Sequence, residues 1–144
     1  MNKVLLSLNF MYCMERFATQ IYLTQRKAFD SESIIQQLTD ASENERSHFN
    51  KLQLQIRALD GRVYPFGFLF QAVGAILGFI TRLSGKRNLF KADIYIENRA
   101  VKDYHSFLKG VSFNTDTVKL IRELIADEEV HIINWQKGRE LLNH

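Results

Sequence analysis

Four stretches of this chain repeat apolar residues at steps of three and four, and each stripe carries a glutamate near its middle. Such spacing places residues on one face of an α-helix. The first stripe runs Val4, Leu8, Met11, Glu15, Ala18, Tyr22, Gln25, Phe29. The second runs Ile34, Leu38, Ala41, Glu45, His48, Leu52, Gln55, Leu59. The third is Phe90, Asp93, Glu97, Ala100, Tyr104, Phe107, Val111, and the last is Ile121, Leu124, Glu128, His131, Trp135. Apolar faces belong in a core, where an isolated carboxylate neutralises rather than stay charged. Four such faces require a common compensating partner, and a pair of divalent cations supplies one.

The spacing sharpens this expectation. Glu15 and Glu45 are 30 residues apart and Glu97 and Glu128 are 31 apart, as in two helical hairpins of equal design. The second helix of each carries Glu-x-x-His: Glu45-Arg46-Ser47-His48 and Glu128-Glu129-Val130-His131. Residues at i and i+3 share a helix face. With nine Glu in the chain, two such pairs among four His arise by chance in roughly 2% of sequences. One Glu from each of two helices and Glu-x-x-His from each of the other two is the ligand set of ferritin-like di-iron and di-manganese bundles. Carboxylates balance the charge of two ions, and imidazole favours iron over magnesium or calcium. His105 and His144 lack a Glu at that offset, and Glu43, Glu123 and Glu129 fall off the stripes and read as surface charges. Asp93 and Gln25 are expected to orient ligands.

One proline and seven glycines in 144 residues leave little turn material for a sandwich or barrel, so long helices are expected. Stop signals fall at Asp30 and Ser31, Asp60 and Gly61, Ser84 and Gly85, and Gly110, with Asn114 or Thr115 as the last N-cap. The reading is one all-α domain over 1–144: hairpin 1 over about 2–60, a crossover over about 61–87, hairpin 2 over about 88–142. A net charge of +3 with mixed signs argues against nucleic acid. The lone Cys13 excludes an internal disulfide or a rubredoxin-type site and suits a reducing compartment. Met1 to Met14 lacks the small-residue cleavage site of a secretory signal, so a cytoplasmic location is expected.

From Val63 to Thr81 there is no charged side chain. Gln71, Pro65, Gly67, Gly74 and Gly78 argue against a membrane span, and a span would put the two hairpins on opposite sides of a bilayer. A long crossover helix joining the hairpins accounts for the segment. The segment is either a connector packed against the bundle or an interfacial element in which Phe66, Phe68, Leu69, Phe70, Ile76, Leu77, Phe79 and Ile80 face lipid or a protein partner, with Arg82, Lys86 and Arg87 suited to an anionic inner membrane face.

Together these residues resemble the demethoxyubiquinone hydroxylase family, the di-iron monooxygenases of ubiquinone biosynthesis, over roughly Met11 to Trp135. Glu15-x-x-Ala18-x-x-Ile21-Tyr22-x-x-Gln25 is similar to the family's first ligand helix, and Pro65, Ala72 to Gly78 and Ser84-Gly85-Lys86 to its Gly-rich crossover. Phe17 and Thr24 stand where the family has Gly, and Asp103-Tyr104 where it has His-Tyr. The resemblance implies two Fe ions, with Mn an alternative, on Glu15, Glu45, His48, Glu97, Glu128 and His131. It also implies an external reductant and a hydrophobic quinone or phenol as substrate. Tyr22 and Tyr104 are candidates for hydrogen bonding or proton delivery at the metal pair, or are core tyrosines with satisfied hydroxyls. Two rivals stand beside this reading: a ferritin- or rubrerythrin-like protein that oxidises iron or removes peroxide, and a non-enzymatic helical module. A homo-oligomer is compatible with each.

Overall fold

Asn2 starts α1 (Lys3–Gln25) by accepting the Val4 N–H at 3.0 Å, satisfying one of the donors a helix N-terminus leaves free. The structure, a computed structural model, describes residues 2–142. After α1 the chain makes one 3-10 turn, Arg26–Ala28, and then α2 (Glu32–Ala58), α3 (Gly67–Leu83), α4 (Lys86–Gly110) and α5 (Thr115–Leu141). Asn114 caps α5 by accepting the Thr117 N–H at 2.9 Å. The turn into α4 is made at Gly85, whose φ of 93° is open to glycine at no steric cost. All regular structure among the described residues is helical, as in a ferritin-like bundle of two hairpins and a crossover helix.

Cross-helix bonds fix the directions. Ser42 Oγ donates to the Thr19 carbonyl while His48 lies at Glu15, and Gln25 Nε2 donates to Asp93 Oδ1 while Tyr104 donates to Glu15, so α2 and α4 both run antiparallel to α1. Gln55 Nε2 donates to Thr117 Oγ1 at 2.8 Å and sets α5 antiparallel to α2. The four-helix core has two apolar layers. One holds Leu8, Met11, Leu52, Ile56, Ile121 and Leu124. The other holds Ala18, Tyr22, Leu38, Phe90 and Trp135, with the Phe90 and Trp135 rings stacked at 6.0 Å. Each large side chain buried here contributes roughly 1.5–3 kcal/mol relative to exposure. Between the two layers lies the level of the stripe glutamates.

α3 runs parallel to α1 on the outside of the bundle. Its contact face is glycine: a Cβ on Gly74 would come within 2.2 Å of the Phe17 carbonyl oxygen, and one on Gly78 within 2.8 Å of that of Ile21. Arg16 adds a polar tie, donating to Gln71 Oε1 and to the Tyr12 hydroxyl, each at 2.5 Å. The sequence reading needs two corrections here. The crossover helix begins only at Gly67, because residues 59–66 form a loop anchored by Asn9, whose side chain donates to the Arg62 carbonyl and accepts the Tyr64 N–H. Phe70 and Leu77 do not face outward but pack against the two core layers. Phe66, Phe68, Leu69, Ile76, Phe79 and Ile80 are exposed as expected, and Val73 and Leu83 join them. No helix among the described residues is long and apolar enough to cross a membrane.

The glycine contact gives a direct test. Gly74→Ala is expected to destabilise by about 1–3 kcal/mol, because the new methyl meets backbone. Gly110→Ala, with open space around it, is expected to be neutral or to stabilise by up to about 1 kcal/mol. Urea denaturation of both variants reads the contrast.

Candidate metal centre

The four stripes meet where their glutamates lie. Glu15, Glu45, Glu97 and Glu128 are each 2% exposed or less, and His48 and His131 are buried among them. His48 Nδ1 is 3.3 Å from an oxygen of each of Glu15, Glu45 and Glu128. His131 Nδ1 is 3.1 Å from oxygens of Glu45 and Glu128 and 3.3 Å from Glu97. The cluster is therefore two overlapping sets, Glu15, Glu45, His48, Glu128 and Glu45, Glu97, Glu128, His131, each with donor atoms within 4.8 Å of one another. Glu45 turns Oε2 to His48 and Oε1 to His131; Glu128 turns Oε1 to His48 and Oε2 to His131. These two glutamates are common to both sets, and Glu15 and Glu97 each belong to one. Residue spacing alone carries no sign of this division.

Burial and crowding shape the electrostatics. Burial and then the neighbouring Glu15 push the Glu45 carboxyl above the usual range, and burial with Glu128 and Glu45 pushes Glu97 well above it. Burial works against charge on both histidines, yet the surrounding carboxylates outweigh it and raise both. Both oxygens of Glu45 and Oε1 of Glu128 have no hydrogen-bond partner. Unsatisfied buried carboxylate oxygens are costly, and here each lies 3.1 to 3.3 Å from a histidine Nδ1. Four carboxylates carry −4, which two divalent cations balance while neutral imidazoles complete the donor set. The residues fit a two-metal site on their own chemistry.

Around this ring stand the two tyrosines named from the stripes. Tyr22 donates its hydroxyl to Glu97 Oε1 and Tyr104 to Glu15 Oε1, so each of the unshared glutamates holds one phenol. Burial and then the adjacent carboxylates raise both phenols well above their ordinary range, which keeps them as donors. Asp127 is a residue the stripes missed: its Oδ2 lies 2.9 Å from His48 Nε2 and accepts Asn44 Nδ2 at 3.3 Å. Burial opposes ionisation of Asp127, but the bonds from His48 and Asn44 hold its carboxyl below the usual range. It escaped notice because it sits one residue before Glu128, off the apolar stripe, although Asp directly before Glu-x-x-His is a visible signal. A carboxylate on the far nitrogen fixes the ring of a ligating histidine.

Gln25 and Asp93 do not orient ligands as expected. Gln25 Nε2 donates to Asp93 Oδ1 at 2.8 Å and to Thr81 Oγ1 at 2.9 Å, joining α1, α4 and α3 one layer away. His105, Glu43, Glu123 and Glu129 are exposed, and Glu123 pairs with Lys51. His144 lies outside the described residues.

On the α1–α4 side the cluster opens into a cavity of about 710 Å3. All four glutamates reach its lining, and Phe10, Met14, Phe17, Leu77, Ile96 and Ala100 make its walls apolar. Asn88, Lys91, Tyr95 and the bonded pair Arg99 and Asp103 add polar groups to the same lining. Phe17 and Asp103, two of the departures from the family pattern, both line this space.

Helical hairpins that bury four carboxylates and two histidines at one level define a ferritin-like carboxylate protein able to hold metal. The profile of the family described as ubiquinone biosynthesis protein COQ7 matches residues 13–137, and the chain belongs to that family, a family of hydroxylases in ubiquinone biosynthesis. No curated protein and no solved structure matches the chain.

Asp93 supplies a pH test. Burial pushes its carboxyl up to about 8, with only the Gln25 N–H opposing, and its Oδ2 has no partner. Between the unfolded value near 4 and about 8 the folded state holds a proton that the unfolded state has lost, so stability falls as pH rises through this window. The slope from this one group approaches about 1.4 kcal/mol per pH unit at most. Asp93→Asn is expected to flatten the loss, and denaturation midpoints at pH 5 and pH 8 for both proteins read it.

Proposed function

We propose that this protein is a di-iron monooxygenase that hydroxylates the ring of a hydrophobic quinone or phenol. The observation that carries the reading is an apolar cavity of about 710 Å3 that ends on four buried carboxylates. Cavities of this size bury most of a drug-sized ligand, so it takes an aromatic head group and the start of an apolar tail. A protein that only stores iron or removes peroxide has no use for such a space. Membership of the ubiquinone biosynthesis family supports the same substrate class.

In this reading Glu15 and His48 would hold one ion and Glu97 and His131 the other, with Glu45 and Glu128 belonging to both donor sets. Iron bound there would supply the chemistry of O2 reduction, in which one oxygen atom would go to the substrate and the other to water, for two electrons from an external reductant and two protons. Asp127 fixes the ring of His48. Tyr22 and Tyr104 hold the unshared glutamates through their O–H groups, and Tyr104 also lines the cavity. The apolar walls place the substrate ring against the carboxylate end and exclude water from it.

The exposed apolar row of α3 completes the reading. Phe68, Leu69, Val73, Ile76, Phe79 and Ile80 are each about half exposed, flanked by Arg82, Lys86 and Arg87. We read this as a peripheral docking face for an anionic membrane surface, from which a lipid-soluble substrate reaches the cavity beside Leu77. Wild-type protein is expected to float with vesicles of phosphatidylcholine and phosphatidylglycerol, and Ile76→Glu with Ile80→Glu to reduce this at least tenfold. A wild type that stays with the soluble fraction overturns the docking face.

The function itself is tested by anaerobic loading with iron or manganese followed by O2, a reductant and a short-tailed quinone precursor. The expected result is about two ions per chain and a product heavier by one oxygen atom. Glu45→Ala and Glu128→Ala are expected to lose both ions, whereas Glu15→Ala and Glu97→Ala retain part of the binding, since only the former serve both sets. Rapid peroxide turnover with no oxygenated product overturns the monooxygenase reading in favour of a rubrerythrin-like one.

A further inference from the structure

A second cavity, of about 250 Å3, opens between α2 and α5. It shares no lining residue with the apolar cavity, so the cluster is approached from two sides. Its character is different. Asp40 and Asn44 of α2 and Asp127 and Asn134 of α5 line it, together with His131 and Trp135, which are 6% and 1% exposed. Two polar atoms of this lining, Asn44 Oδ1 and Trp135 Nε1, are buried and have no hydrogen-bond partner. Asp127 extends the polar lining to the other half of the cluster through its 2.9 Å contact with His48.

A hydrated divalent cation loses water when it enters a protein, and removing an ion from water costs several kcal/mol unless other groups replace the lost contacts. The α1–α4 cavity is walled mainly by apolar side chains up to the glutamates themselves, and its one carboxylate outside the cluster, Asp103, is bonded to Arg99. The α2–α5 cleft offers carboxylate and amide oxygens, and its lining includes His131, a residue of the cluster itself. We infer that this cleft is the entrance through which divalent metal ions reach the cluster. Asp40 and Asp127 draw the hydrated ion in, and Asn44 and Asn134 provide oxygens in place of part of its water. This rests on the di-metal reading above. It divides the protein by solubility: ions from water enter on the α2–α5 side, and the apolar substrate enters on the α1–α4 side.

The chain carries its own reporter. Trp135 is the sole tryptophan, and its ring is 6.3 Å from that of His131, so a paramagnetic ion arriving there quenches its emission. Metal-free full-length protein is mixed with Fe2+ under anaerobic conditions in a stopped-flow fluorimeter, and equilibrium stoichiometry is measured separately. For Asp40→Lys and for Asn134→Lys the quenching rate is expected to fall about tenfold and to lose its dependence on salt, with the number of ions bound at equilibrium unchanged. Asp40→Asn is expected to slow uptake less. Lys91→Glu, in the lining of the apolar cavity, is expected to leave the rate as it was. Wild type that binds two ions while both cleft variants take up Fe2+ at the wild-type rate overturns the entrance alone. Wild type that binds no metal overturns the di-metal reading and the entrance with it.

Discussion

Four carboxylates at one level of a dry helical core are the constraint on which the rest of this structure depends. Left alone they repel one another and lose their hydration, and a core of this kind would be more stable with leucine in their place. The protein surrounds them instead. Tyr22 and Tyr104 donate to Glu97 and Glu15, His48 and His131 lie among all four, and Asp127 balances His48 from outside. Apolar layers above and below keep water from relaxing the arrangement. Stability given up at this level is recovered in those layers, and the unsatisfied oxygens of Glu45 and Glu128 mark where compensation from within the chain stops.

Much of this was legible in the amino-acid sequence because a helix converts spacing directly into direction. The stripe through Glu15 and Tyr22 predicted the burial of Leu8, Met11, Glu15, Ala18, Tyr22 and Gln25, though Ser7, Tyr12, Cys13, Thr19 and Ile21 are buried off it, and the Glu-x-x-His pairs predicted that His48 and His131 meet the same cluster. Helix ends at Gly110 and the cap at Asn114 followed from local chemistry. What stayed hidden depends on how helices turn towards one another. The role of Asp127 needs α2 and α5 to be in register, and the sharing of Glu45 and Glu128 needs side-chain rotamers. Gln25 and Asp93 share the ligand stripes but sit a layer away, where they bond to each other and to Thr81.

The segment from Val63 to Thr81 shows the limit of composition more sharply. Its lack of charge is as compatible with a buried helix as with an exposed one. The structure makes it both: glycines lie against α1, while six large apolar side chains on the other side are about half exposed. The loop before it is longer than the sequence suggested, since Asn9 holds its backbone in place of a helix.

The contact between α1 and α3 is backbone against glycine, with few side chains to rearrange, so these two helices form one body. Widening the cavity therefore falls to the seam between α1 and α4. That seam is closed by the two phenol–carboxylate bonds and by Gln25 on Asp93. Moving α4 outward stretches the bonds that hold Glu15 and Glu97. The width of the cavity and the order of the carboxylates are thus mechanically linked, and a bulky guest is felt at the cluster before it arrives there.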